Sequence, residues 1–147
     1  MHDISRRAVI GAFASLAMLS PLTLPAAERR VALKGYDPVA YFTKGRPEKG
    51  SPEFSAAYDD ATYWFMNGEH RALFAADSER YAPQFNGLCA VTVSRGARYE
   101  ADPEAWAIAD GKLWVFGSKN GEALFRQHSG DIIAKATENW PQLRRGP

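Results

Sequence analysis

The strongest constraint on the fold is a duplication. Residues Pro52 to Phe74 recur at Pro103 to Phe125 without a gap, at an offset of 51 residues. Pro52-Glu53 matches Pro103-Glu104, Ala56 matches Ala107, Asp59 matches Asp110, Phe65 matches Phe116, and Ala72-Leu73-Phe74 matches Ala123-Leu124-Phe125. Each copy spells a strand, a tight turn, a second strand and a helix, so the chain must use one packing solution twice. The shared positions are the skeleton, and chemistry is to be sought where the copies differ. They differ at Met66 and His70, which face Gly117 and Gly121 in the second copy.

Within the copies, residues 54–58 and 62–66 form the first hairpin around Asp59-Asp60, and Asp110-Gly111 turns the second with a glycine suited to positive φ. Tyr63 and Phe65 share one face of their strand, as Trp114 and Phe116 share one face of theirs, because side chains alternate. Those faces are expected to meet in the core beneath Leu73 and Leu124. Asn67 is placed to cap a helix running to Ala76. Upstream, residues 31–33 read as a short strand, and Asp37 caps a helix opening at Pro38, whose missing N–H costs nothing there. Leu88, Ala90 and Thr92 alternate with Cys89, Val91 and Val93 as a further strand, and residues 132–139 form the closing helix. The resulting class is α+β, a small antiparallel sheet with helices on one face.

Arg6-Arg7 followed by an apolar run from Ala8 to Leu19 and small residues at Ala26-Ala27 has the form of a twin-arginine export signal. A run of twelve residues spans roughly 18 Å as a helix, short of the roughly 30 Å hydrocarbon core, so membrane attachment is expected only if the segment stays uncleaved. Removing residues 1–27 from a chain of 147 leaves 120, one domain with one core and a periplasmic or otherwise exported address. The removed segment takes Arg6, Arg7 and Asp3, leaving 16 basic and 16 acidic residues. This balance carries no electrostatic footprint for nucleic acid. The pairs Arg29-Arg30 and Arg144-Arg145 read as solvated ends.

Three soft side chains are the candidate site residues: Cys89, His70 and Met66. With a single cysteine no intramolecular disulfide can form, so Cys89 is buried, metal-bound, reactive or paired between chains. His70 falls in the first turn of the helix capped by Asn67, and Met66 precedes that cap. Thiolate, imidazole and thioether together suit a soft metal such as copper. A second reading uses Cys89 alone as a redox thiol, which needs an accessible thiolate beside a positive group. A third is a metal-free module for a small ligand or protein partner, with the many aromatic residues lining a pocket. His128 reads as a solvated helix-end residue. Phosphate loops, nucleophile elbows, paired-histidine zinc motifs and paired carboxylates are absent, so no enzyme class is signalled.

The stretches Gly35-Tyr36-Asp37-Pro38-Val39-Ala40-Tyr41-Phe42, Tyr63-Trp64-Phe65, Phe74-Ala75-Ala76-Asp77-Ser78-Glu79-Arg80-Tyr81 and Gly87-Leu88-Cys89-Ala90-Val91 resemble the YHS domain family. They are most similar to its exported bacterial branch. The resemblance implies a metal-binding module of the kind found alone or attached to copper-handling pumps and oxygenases. Some members of the branch it resembles are selenoproteins, and a selenocysteine at the Gly-x-Cys-Ala motif in them would favour redox or soft-metal chemistry at Cys89. The family's thiolate positions are Ala40, Met66 and His70 in this chain, so a four-cysteine zinc site is excluded by composition.

Overall fold

Both hairpins form, and they form alike. In the computed structural model, which describes residues 29–145, β2 (Ser51–Tyr58) pairs antiparallel with β3 (Ala61–Phe65) and β4 (Asp102–Ala109) with β5 (Lys112–Phe116). The export segment read at residues 1–27 lies outside the described residues. Ser55 stands opposite Trp64 and Trp106 opposite Val115, and each hairpin slips register once, between Ser51 and Ser55 and between Asp102 and Trp106. The same local bond braces each slip: the Glu53 N–H donates to Ser51 Oγ at 3.3 Å, and the Glu104 N–H to Asp102 Oδ1 at 2.9 Å. The turns are entered through left-handed aspartates, Asp59 at φ 55° and Asp110 at φ 53°, a conformation that Asp tolerates better than most residues.

After each hairpin a polar side chain caps a helix. Asn67 accepts from the His70 N–H at the start of α2 (Gly68–Ala76), and Ser118 accepts from the Gly121 N–H at the start of α5 (Lys119–Leu143). One phenylalanine per helix then closes the unit. The Phe74 ring lies 5.1 Å from Tyr63 and 5.0 Å from Phe65, and the Phe125 ring lies 5.5 Å from Trp114 and 4.9 Å from Phe116. Leu73 and Leu124, expected to fill this role, sit one position away and are only half-buried.

The strands do not join into one antiparallel sheet. β1 (Arg30–Val31) adds parallel to β3, giving a three-stranded sheet of order β1-β3-β2, while β4 and β5 form a separate two-stranded sheet. The reason lies in β5, which is buried on both faces. Leu113 and Val115 enter the core containing Ala61, Tyr63, Phe65 and Phe74, whereas Trp114 and Phe116 face a second core with Phe85, Cys89 and Phe125. The aromatic faces of the two hairpins thus look into different cores instead of meeting, and the α+β architecture is two units packed back to back. Tyr41, in the short helix α1 (Ala40–Thr43), ties them: its hydroxyl donates to the Pro103 carbonyl at 2.8 Å, and its ring meets Trp106 edge-on.

Two further segments depart from the sequence reading. The alternating run around Cys89 is not a strand; Ala90–Ser94 forms helix α4. Its buried residues Ala90, Val91 and Val93 share the second core with Ile132 and Ala136 of α5, and Asn139 Nδ2 donates to the Val93 and Ser94 carbonyls at 3.1 Å each. Tertiary burial and that cap override β-branched propensity. The closing helix is also longer than expected, spanning Lys119–Leu143 with a break at exposed His128 (φ −133°, ψ 34°). A one-turn helix, α3 (Ser78–Tyr81), follows α2.

Arg30 and Arg144 are not solvated tails. Arg30 reaches Glu100 at 2.9 Å and the Asn86 carbonyl, and Arg144 binds Asp60 at 3.1 Å and Asp59 at the first hairpin turn. No helix among the described residues is long and apolar enough to cross a membrane.

Burial holds the phenols of Tyr41 and Tyr63 above their ordinary value of 10.0. Above pH 10 the unfolded chain releases these protons and the folded chain keeps them. Their contribution is therefore full below pH about 10 and declines above it by about 1.4 kcal/mol per pH unit for each tyrosine. Urea unfolding between pH 9 and 11 should show this decline, reduced by one tyrosine's share in Tyr41→Phe and in Tyr63→Phe. An identical slope in wild type and both variants would contradict the assignment.

Candidate functional site: one closed and one open copy

Each copy is preceded by the same strained turn. Leu33, Lys34 and Gly35 have φ of 55°, 50° and 84°, and Phe85, Asn86 and Gly87 have 55°, 53° and 79°. Left-handed backbone at Leu33 and Phe85 costs on the order of 1–2 kcal/mol per residue. It is held because Leu33 is fully buried and Phe85 nearly so. Gly35 has a second reason to lack a side chain, since a Cβ there would lie 2.5 Å from the Trp64 ring. Two residues beyond the glycine of each turn, the backbone delivers a different functional group: Asp37 in one copy and Cys89 in the other.

Asp37 is fully buried and fully bonded. Its Oδ1 accepts from the Val39 N–H at 2.8 Å and the Ala40 N–H at 3.4 Å; its Oδ2 accepts from the Met66 N–H at 2.9 Å and from His70 Nδ1 at 2.6 Å. The carboxylate can only accept, so Nδ1 carries the proton. His70 Nε2 lies 3.3 Å from Thr43 Oγ1. One side chain thus holds the Val39 and Ala40 N–H groups that lead into α1, which opens at Ala40 and not at Pro38 as expected, and also fastens the β3–α2 turn and the first turn of α2. Nothing in the spacing of residues 37, 66 and 70 announces that junction.

Cys89 is the counterpart of Asp37. The Asp37 N–H donates to the Glu48 carbonyl at 2.8 Å and the Cys89 N–H to the Tyr99 carbonyl at 2.9 Å. Tyr36 bridges Lys49 as Leu88 bridges Glu100, and α1 and α4 come next. The structural duplication therefore extends upstream of the repeat visible in the sequence, at an offset of 52 instead of 51. Where Met66 and His70 close the first copy, Gly117 and Gly121 leave the second open. A cavity of about 410 Å³ results, bounded by Cys89, Arg95, Tyr99, Gly117, Ser118 and Gly121 among others, with no carboxylate in its wall among the described residues. The Cys89 side chain is 3 % exposed and lines this cavity. A Cβ on Gly117 would lie 3.8 Å from its sulfur.

The three soft residues are consequently divided. Met66 and His70 belong to the closed copy, where Met66 contributes its backbone and His70 its ring to Asp37. Cys89 belongs to the open copy, in a core built wholly from Phe85 onward, and neither Met66 nor His70 lines its cavity. Among the described residues no group of three or more His, Cys, Asp or Glu is placed to hold a metal. The residues sequence reasoning passed over are Asp37 as a clamp, and Arg95, Tyr99 and Ser118 as cavity wall. The one signal available was the loss of side chains at Gly117 and Gly121, which marks the place of the cavity rather than the ligands of an ion.

Asp37→Ala removes the acceptor of four hydrogen bonds and leaves buried donors unpaired at about 1–3 kcal/mol each, so it is expected to destabilise the fold by about 3–5 kcal/mol in all. His70→Gln, which can still reach Asp37 with an amide, should cost distinctly less. Urea unfolding of the two variants checks this, and a loss under about 1 kcal/mol for Asp37→Ala would show that the clamp is not structural.

A comparison with protein-family models, curated proteins and solved structures found no match to this chain.

Proposed function

We propose that the chain is an exported, YHS-like module that binds a small organic ligand in the cavity beside Cys89. The observation that carries this reading is the contrast between the copies. The duplicated framework packs a histidine against the aspartate beyond the strained turn in one copy, and leaves open space against a thiol in the other. Two glycines at corresponding positions open this space, and Cys89 is the buried free thiol that faces it. Export rests on the Arg6-Arg7 segment and its apolar run, and the YHS likeness on the motifs around Asp37 and Cys89. The structural work of Asp37 gives a physical reason for the Gly-Tyr-Asp-Pro stretch.

The residues present do not fit the soft-metal site expected from the family. A structural or transport site for copper or zinc draws several thiolate, imidazole or thioether donors onto one ion. The wall of this cavity supplies one thiol, with hydroxyls, an amide and a guanidinium for the remainder.

Gly117→Met tests the binding reading by restoring the side chain of the closed copy. Its Cβ would press on the Tyr99 ring at 2.9 Å, but Tyr99 is 60 % exposed and free to swing aside. Methyl methanethiosulfonate, a small neutral thiol reagent, is expected to label Cys89 in the folded wild type. Labelling should slow at least tenfold in Gly117→Met at unchanged thermal stability. An inert wild-type thiol, or equal rates in the two proteins, would remove the cavity as a site. Metal analysis of the natively purified chain beside Cys89→Ser is expected to find the same substoichiometric content in both. One equivalent of copper lost with the thiol would restore the metal reading.

A further inference from the structure

We infer that the open copy accepts an anionic, peptide-sized low-molecular-weight disulfide and forms a mixed disulfide with it through Cys89. This inference rests on the binding reading above and names the ligand class.

The cavity beside Cys89 does not stand alone. A second cavity of about 260 Å³ shares Val91, Arg95 and Leu124 with it and continues along α5 past His128 and Asp131 to Lys135. Together the two make one trough between α4 and α5. From Gly121 to His128 the helix advances seven residues, roughly 10 Å at about 1.5 Å each. That is about the reach of three extended residues and more than a single amino acid needs.

The charge along the trough is uneven. Among the described residues Arg95 is the only charged one around the first cavity, and it sits where the two cavities join. Lys135 and Asp131 lie in the second, with His128. Among the described residues neither the Arg95 nor the Lys135 side chain is in a hydrogen bond or ion pair, and both are exposed. The first turn of α5, capped by Ser118, also borders the first cavity, and a helix start favours negative charge. Two uncommitted cations and a helix start against one carboxylate favour a ligand carrying acidic groups.

At the other end lies the thiol, nine-tenths and more buried, with no hydrogen-bond partner for its sulfur among the described residues. The chain holds no second cysteine to resolve it. A disulfide ligand supplies what the chain lacks. Cys89 gives its proton to solvent, its sulfur attacks one sulfur of the ligand, the ligand's S–S bond breaks, and its other half leaves as a thiolate. The bound half keeps its acidic groups beside Arg95 and Lys135.

The test uses the full chain with three disulfide probes, following the adduct on the intact protein by mass. These are oxidised glutathione, which is anionic; cystamine, which is cationic; and 2-hydroxyethyl disulfide, which is neutral. The expected result is a single adduct, absent in Cys89→Ser, formed at least tenfold faster with oxidised glutathione than with cystamine. Arg95→Glu should erase that preference, read as the ratio of the glutathione rate to the cystamine rate so that any change in the thiol common to all three probes cancels, and Lys135→Glu should lower the glutathione rate about threefold relative to the neutral probe. Both residues are exposed, so the folded state is expected to survive and is checked by thermal unfolding. Cystamine reacting as fast as glutathione in wild type, or a preference that survives Arg95→Glu, would overturn the inference. If the neutral probe still labels Cys89 and Gly117→Met still slows it, the binding reading stands and only the ligand class fails. If no disulfide or thiosulfonate touches Cys89 until the chain is unfolded, both fail together.

Discussion

Everything in this fold hangs on one phenylalanine resting across two aromatic strand residues, used twice. Phe74 on Tyr63 and Phe65, and Phe125 on Trp114 and Phe116, convert two hairpins too small to be stable alone into closed units. Aromatic pairs at this separation add to an already large area of burial. Both contacts fall on the third and fifth positions of a five-residue strand, which leaves the opposite side free for other use. In β5 that side carries Leu113 and Val115 into the neighbouring unit, which makes two half-stable hairpins one domain.

Because the aromatic contacts carry the framework, the segment ahead of each hairpin is free to diverge. In one copy the backbone leaves its left-handed turn into an aspartate that binds four donors. In the other the same turn delivers a cysteine. A carboxylate buried at this point demands bonded partners, and Met66 and His70 provide two of the four. A thiol demands none, so no imidazole is required at the position of His70, Gly121 stands there, and space opens. Closure and opening are two outcomes of a single geometry, decided by whether the residue beyond the turn carries charge.

The strained turns are part of this arrangement. Left-handed Leu33 and Phe85 persist because their side chains are locked in the two cores, so burial compensates for the backbone cost. The result is direction: the turn presents the next-but-one side chain to the start of the helix after each hairpin. Strain of this kind clusters where a side chain must be aimed, and here it aims both Asp37 and Cys89.

The hairpins, their turns, the cap at Asn67 and the α+β class were legible in the amino-acid sequence, because each rests on local pattern: alternation, turn chemistry and a polar residue at a helix start. The duplication was legible for the same reason, and it pointed to positions 66, 70, 117 and 121. Only the tertiary structure decided that Ala90–Ser94 is helical, since its partners Ile132, Ala136 and Asn139 are some forty residues away. It also decided that the sheets remain separate, because the two-sided burial of β5 is a property of the packed pair. The equivalence of Asp37 and Cys89 was hidden by a one-residue change of offset and by the unlike chemistry of the two side chains. Residues of matching softness suggested one shared site for Cys89, His70 and Met66. Packing placed them in different copies, because softness is a property of atoms and proximity is a property of the fold.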